Sequence, residues 1–180
     1  MNISTNPVAN LTFVFIFLSH FAFSANIAII ESTSHHPFQQ MDLKWQNTAI
    51  ASGHSATILS QTSLDDVNNL SGFDVLILSN GLIQLTGARQ EVLHQFVAQG
   101  GNAYIQAEYQ TTQPGSEAFE YVVNQLGETF SWIGESNGNL TPMNIIGELA
   151  EGDSPVTAID HFWYGAYGEG GDNITPFLEK

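Results

Sequence analysis

The segment DVLILSNGLIQLTGARQEVLHQFVAQGGNAYIQAEYQ, residues 74–110, contains the pattern that decides the fold. It opens with a short apolar run, residues 74–81, which predicts a strand buried on both faces. An amphipathic stretch follows, with Thr86 at its start and a Gly-Gly pair at its end, which predicts a helix. Residues 102–110 then predict the next strand. Strand, helix and strand in this order are typical of a parallel sheet with crossover helices.

The same alternation continues on both sides of this segment. Upstream, the sequence predicts a strand (26–32), a helix with Asp42 near its start (41–55), a strand (56–61) and a helical turn (63–72). Downstream, it predicts a helix capped by Ser116 (115–127), a further strand (128–134) and a glycine-rich aromatic loop (161–173). We therefore expect an α/β protein, a flavodoxin-like three-layer α/β/α sandwich with a mainly parallel sheet.

Composition excludes several classes of function. The chain has 180 residues, 43% of them hydrophobic, which fits one folded domain. It has 3 basic and 18 acidic residues, a formal net charge of -15, so we expect no binding to nucleic acid. Cysteine is absent from the sequence, which excludes disulfides, thiolate catalysis and Cys-ligated metal centres.

The first 24 residues are typical of a secretory signal peptide. Leu11 to Phe23 form an apolar run of signal length, and Ala22 and Ser24 predict cleavage between Ser24 and Ala25. The segment lacks a positive charge near its start, so an uncleaved anchor remains the alternative. We expect residues 25–180 to form the domain and to be secreted, periplasmic or at the cell surface, with no stable membrane insertion after cleavage.

Polar side chains follow three of the predicted strands. In an open parallel sheet, ligands bind at the carboxyl ends of the strands, near the point where strand order reverses. The candidate ligand-binding residues at these ends are Glu31, Ser32, His35, His36, Ser79, Asn80, Glu108 and Tyr109. Trp163 and Tyr164 are candidates for an aromatic lid over them.

Four interpretations of these residues remain open. Glu31, Glu108 and a histidine have the chemistry of a cation site. Glu31 and Glu108 are also a candidate acid and base pair, as glycoside hydrolysis requires. The same residues fit ligand binding without chemistry, or strand-end loops that bond only to backbone. The sequence assigns no catalytic or metal-binding residue firmly, and we expect no cofactor.

Most of the mature chain resembles a bacterial secreted domain of the class I glutamine amidotransferase-like superfamily, in the neighbourhood of ThuA-like proteins. The resemblance rests on residues 27–66 (IAIIESTSHHPFQQMDLKWQNTAIASGHSATILSQTSLDD) and 74–109. It extends to residues 137–152 (NGNLTPMNIIGELAEG) and 161–179 (HFWYGAYGEGGDNITPFLE). It implies the fold, and it also implies that the domain continues beyond Lys180.

The resemblance argues against amidotransferase activity. Catalytic members of the superfamily carry a cysteine at a sharp turn after a central strand, and Glu108 is the residue that we assign to this position. A glutamate cannot form the thioester intermediate of glutamine hydrolysis. ThuA-like relatives are linked to carbohydrate metabolism, so the resemblance implies a catalytically degenerate domain that binds a small polar ligand, with a glycan as one candidate. The alternatives are a carboxylate-based hydrolase, with or without a metal, that acts on a glycan or related substrate, and a structural module of a longer secreted protein.

Overall fold

A computed structural model of the chain describes residues 24–32, 38–107, 110–137, 144–145, 164–174 and 178–179. Its strands are β1 (Asn26–Ile30), β2 (Ser55–Leu59), β3 (Val75–Leu78), β4 (Asn102–Ile105), β5 (Phe130–Asn137), β6 (Asn144–Ile145), β7 (Tyr164–Gly170) and β8 (Leu178–Glu179). Its helices are α1 (Phe38–Ala51), α2 (Gly87–Ala98) and α3 (Pro114–Gln125), with two 3-10 turns at Gln61–Asp65 and Val67–Leu70. Within these ranges, no helix combines the length and apolar character that a bilayer crossing requires.

The central element is a parallel sheet of four strands in the order β2-β1-β3-β4. β1 pairs with β2 from Asn26 opposite Ser55, and β3 lies on its other side with Ile27 opposite Val75. β2 therefore lies on one side of β1, and β3, which comes next in the sequence, lies on the other side. Strand order reverses between β1 and β3, which is the arrangement of a flavodoxin-like sheet.

Two apolar clusters cover the two faces of this sheet. One face packs against α2, α3 and the 3-10 turns, with Leu76, Leu78 and Leu93 among its buried side chains. The other face packs against α1, with Ile29 and Ile77 buried beneath Trp45 and Ala49. Helices on both sides of a parallel sheet confirm the predicted three-layer α/β/α architecture. The predicted strands and helices of residues 26–127 are all present, with bounds shifted by a few residues.

Two helix starts differ from the prediction. α1 begins at Phe38, so Asp42 lies in its second turn and does not cap it. α3 begins with Pro114 at its first position, so Ser116 is inside the first turn and donates through Oγ to the carbonyl oxygen of Gln110. Proline at the first helical position is favourable because its missing N–H would have no partner there. Thr86 does occupy the N-cap position of α2, without a side-chain hydrogen bond to the helix.

The prediction of an aromatic and glycine-rich loop at residues 161–173 is wrong for most of that range. Residues 164–170 form β7, which pairs antiparallel with β5 over Phe130–Asn137. Among the strands that the structure describes, β5 pairs with β7 and is not part of the parallel sheet. The β5–β7 ribbon packs on α3, where the ring of Phe119 contacts those of Phe130 and Trp132 at centroid distances of 4.9 and 5.9 Å.

Candidate functional site

The candidate site lies at the carboxyl edge of the sheet, where β1 and β3 end side by side. Ser32 follows β1 after Glu31, and Ser79 and Asn80 follow β3. Ser32, Ser79 and Asn80 are buried, with 4%, 0% and 1% of their surface exposed. The predicted convergence of these polar residues at the reversal point is therefore present in the fold.

A buried carboxylate, Asp42, joins both strand ends to α1. Its Oδ2 accepts a hydrogen bond from the backbone nitrogen of Ser32 at 2.7 Å. Its Oδ1 accepts from the hydroxyls of Ser32 and Ser79 at 2.7 and 2.6 Å. Three donors to a charged acceptor compensate for the loss of water around a side chain that is only 3% exposed. Asp42 therefore fixes α1 against β1 and β3, and it fixes the direction of both serine hydroxyls.

Asn80 occupies the turn that leaves β3. Its Oδ1 accepts from the backbone nitrogen of Leu82 at 2.8 Å, and its carbonyl oxygen accepts from Ile83 at 3.2 Å. The first bond identifies the side-chain oxygen, so the amide orientation is determined by the network. Its Nδ2 is buried and has no hydrogen-bond partner among the residues described. An unsatisfied buried donor costs about 1–3 kcal/mol, which an acceptor on a ligand would recover.

The start of α3 is pressed against the ends of β3 and β4. The backbone nitrogen of Gly115 donates to the carbonyl oxygen of Gly81 at 2.9 Å. A Cβ at residue 115 would lie 2.7 Å from Gly81 Cα and closer still to the carbonyl oxygen of Gln106. Only glycine permits this approach, so one wall of the site is backbone packed on backbone.

Glu31 is placed differently from its neighbours. Its side chain is exposed at the end of β1, and its backbone is held by Gln61, whose Nε2 donates to the Glu31 carbonyl oxygen at 3.1 Å. A carboxylate in this position lies at the solvent side of the strand ends. It is accessible to a ligand, but its surroundings do not distinguish it from an ordinary surface carboxylate.

Several of the predicted site residues lie outside the part of the chain that the structure describes. They are His35, His36, Glu108, Tyr109 and Trp163. Tyr164 begins β7, where its backbone pairs with Asn137. Across the described ranges, no group of three or more His, Cys, Asp or Glu side chains is arranged to hold a metal ion. The cation site and the acid–base pair that involve Glu108 therefore stay predictions.

Among the residues that the structure describes, the acid–base groups with a shifted pKa lie away from this edge. Glu91 on α2 accepts from Gln95 Nε2 and Tyr121 Oη, each at 2.9 Å, and these bonds lower the pKa of its carboxyl, with Gln95 contributing most. The hydrogen bond to Glu91 also raises the pKa of Tyr121. Burial raises the pKa of Tyr104 on β4, whose ring lies 5.2 Å from that of Trp45. The hydrogen bond between Tyr121 and Glu91 joins α3 to α2 and does not involve the strand ends.

No protein-family profile and no curated protein matches the chain. The fold is similar to a solved structure described as a ThuA-like protein from Bacteroides uniformis ATCC 8492, with a TM-score of 0.47 and 14% identity. The match covers 73% of this chain and 56% of that chain, so this chain spans little more than half of the neighbour's length. A similarity of this size says nothing about activity, and the fold assignment above rests on strand order and layers.

Proposed function

We propose that this protein binds a small polar ligand at the carboxyl edge of its sheet, between the ends of β1 and β3. The observation that carries the proposal is the buried Nδ2 of Asn80, which has no hydrogen-bond partner within the described part of the chain and lies where strand order reverses. Native proteins rarely leave a buried donor unsatisfied, so such a donor calls for an acceptor, which a ligand can supply. Binding sites in flavodoxin-like sheets occur at this same point.

Rigidity around Asn80 supports the proposal. Asp42 holds Ser79, the residue before Asn80, through a hydrogen bond of 2.6 Å. Gly115 holds Gly81, the residue after it, through the backbone contact at 2.9 Å. A binding group held from both sides loses little conformational freedom when a ligand arrives, so more of its hydrogen-bond energy appears as affinity.

Binding is favoured over nucleophilic catalysis at this edge. The hydroxyls of Ser32 and Ser79 both donate to Asp42, which also accepts from the backbone nitrogen of Ser32, so both serines are used in joining α1 to the strand ends. The absence of cysteine from the sequence excludes the thiolate that glutamine hydrolysis needs. We propose a catalytically degenerate amidotransferase-like domain, and the apolar segment from Leu11 to Phe23 supports its export from the cell. A sugar is the first ligand to test, because the sequence resembles ThuA-like proteins, which are linked to carbohydrate metabolism.

The test is thermal unfolding of the purified protein with a panel of simple sugars, compared with the variant Asn80→Ala. A ligand that binds only the folded state stabilises it by about 2.7 kcal/mol at a hundred times its dissociation constant. A stabilisation of this size raises the melting temperature by several degrees. We expect Asn80→Ala to lose this response and Asn69→Ala, in the exposed second 3-10 turn, to keep it. A response that survives in Asn80→Ala, or no response to any compound, would contradict the proposal.

A further inference from the structure

We infer that the ligand at Asn80 offers an uncharged acceptor oxygen, a carbonyl or hydroxyl, and that carboxylates and phosphates are excluded. The inference rests on the proposed function and specifies its ligand class. The first step is the polarity of Asn80 itself. Oδ1 is used by the backbone nitrogen of Leu82, so Nδ2 is the group that remains for a ligand. An amide N–H donor is neutral, so it satisfies an acceptor without supplying a countercharge.

The second step is the charge around Asn80. Asp42 is linked to the preceding residue, Ser79, and Glu31 stands at the end of the neighbouring strand. Both side chains are carboxylates, and the whole chain carries a formal charge of -15. An anion brought to this edge would be partly desolvated and would face like charges, which is unfavourable on both counts.

The third step is the position of the basic side chains that the structure describes. Arg89 is engaged by Asp65, with Nε to Oδ1 at 2.8 Å, and by the carbonyl oxygen of Gln84 at 2.8 Å. Lys44 is exposed on α1 two residues after Asp42, and residues two apart in a helix do not face the same way. Neither residue is therefore arranged to neutralise an anion beside Asn80.

The fourth step concerns α3, whose amino end lies beside Gly81. Helix amino ends can bind anions through free N–H groups. Here Pro114 has no N–H, Gly115 donates to Gly81, and the nitrogen of Glu117 donates to Gln113 at 3.0 Å. The carboxylate of Glu117 also lies in this first turn. Pro114 and Gly115 thus offer no free N–H group at this end of α3, and the first turn carries its own negative charge, which disfavours an anion there.

The experiment follows the side-chain amide signal of Asn80 by nitrogen-15 NMR, assigned through its own backbone resonances. Matched probes that differ in charge are added at about pH 7.5, where unperturbed histidines are mostly neutral. The pairs are D-glucose with D-glucuronate and acetamide with acetate. We expect the neutral member of at least one pair to shift the Asn80 signal saturably, and its anionic partner to bind roughly ten-fold more weakly or worse.

The outcomes separate the inference from the proposed function. If glucuronate or acetate shifts the Asn80 signal at least as strongly as its neutral partner, the ligand class is wrong while binding at Asn80 stands. If none of the four probes shifts this signal, both the ligand class and binding at Asn80 fail. A neutral probe whose affinity changes little with added sodium chloride supports the inference further, because screening acts only on charged partners.

Discussion

At the scale of single residues, Asp42 is the side chain on which the strand ends depend most. In the parent protein, the two carboxylate oxygens of Asp42 accept three hydrogen bonds. Asp42→Asn keeps the shape of the side chain but replaces one of these oxygens by an N–H₂ group, which is a donor facing another donor of Ser32 or Ser79. We expect the free energy of unfolding to fall by about 2–3 kcal/mol, since charge-assisted hydrogen bonds are lost and buried donors are left unpaired. Urea denaturation followed by circular dichroism would measure the change.

A matched control is Asp172→Asn, which makes the same substitution at an exposed turn after β7. Surface changes of this kind usually stay within about 0.5 kcal/mol. Ser79→Ala removes one donor and should cost about 1 kcal/mol in the parent, but less in the Asp42→Asn background. Equal effects of Ser79→Ala in the two backgrounds would show that the buried hydrogen bond does not couple the two residues.

Local sequence pattern predicted some site residues and missed the one that organises them. Ser32, Ser79 and Asn80 were predictable because each follows an apolar run, and the carboxyl ends of parallel strands meet at one edge. The role of Asp42 was not predictable. Its partners lie 10 and 37 residues away in sequence, and a short polar residue near a helix start is more simply interpreted as a cap.

At the scale of secondary-structure elements, the close contact between α3 and the strand ends leads to a prediction. Gly115→Ala places a methyl group against the backbone of Gly81 and Gln106, and backbone atoms cannot move aside as a flexible side chain would. We expect a loss of about 1–3 kcal/mol of stability as the start of α3 is displaced. Because the displaced wall borders Asn80, binding of any ligand found at the site should weaken as well.

Gly87→Ala is a matched control at the start of α2. A Cβ at residue 87 would meet no atom within 4 Å, so the same substitution adds no clash. Replacing glycine by alanine in a helix should then leave stability unchanged or raise it by up to about 1 kcal/mol. Thermal denaturation of both variants measures the contrast. Equal stability of Gly115→Ala and Gly87→Ala would mean that α3 tolerates the methyl group and does not brace the strand ends.

The elements themselves show what a local pattern can and cannot reveal. β1 and β3 are continuous apolar runs, and their burial on both faces made them predictable. β7 has three glycines among its seven residues, a composition that favours a loop. It is a strand because β5 supplies the hydrogen bonds of the ladder, and this pairing joins residues that are 27 to 40 positions apart in the sequence. The start of α3 was open to prediction, since proline at the first helical position is a strong local signal.

At the scale of the whole molecule, fold and site have different physical origins. The parallel sheet follows from where apolar residues recur, and this pattern extends over the chain. The site depends on a few hydrogen bonds that cross between elements, and these depend on the finished fold. This difference explains why the α/β/α architecture could be predicted as a whole while the hydrogen bonding around Asn80 could not.

The last prediction concerns the net charge, which acts on the molecule as a whole. A formal charge of -15 with 3 basic residues makes the folded state repel itself, and salt screens this repulsion more in the compact state than in the extended one. We expect the melting temperature to rise by several degrees between about 10 mM and 200 mM sodium chloride, measured by calorimetry.

Glu169→Gln with Asp172→Asn removes two exposed charges and should reduce this dependence of the melting temperature on salt. A melting temperature that falls with salt would instead mean that pairs such as Arg89 with Asp65 outweigh the repulsion. Exposed ion pairs are normally worth too little for that.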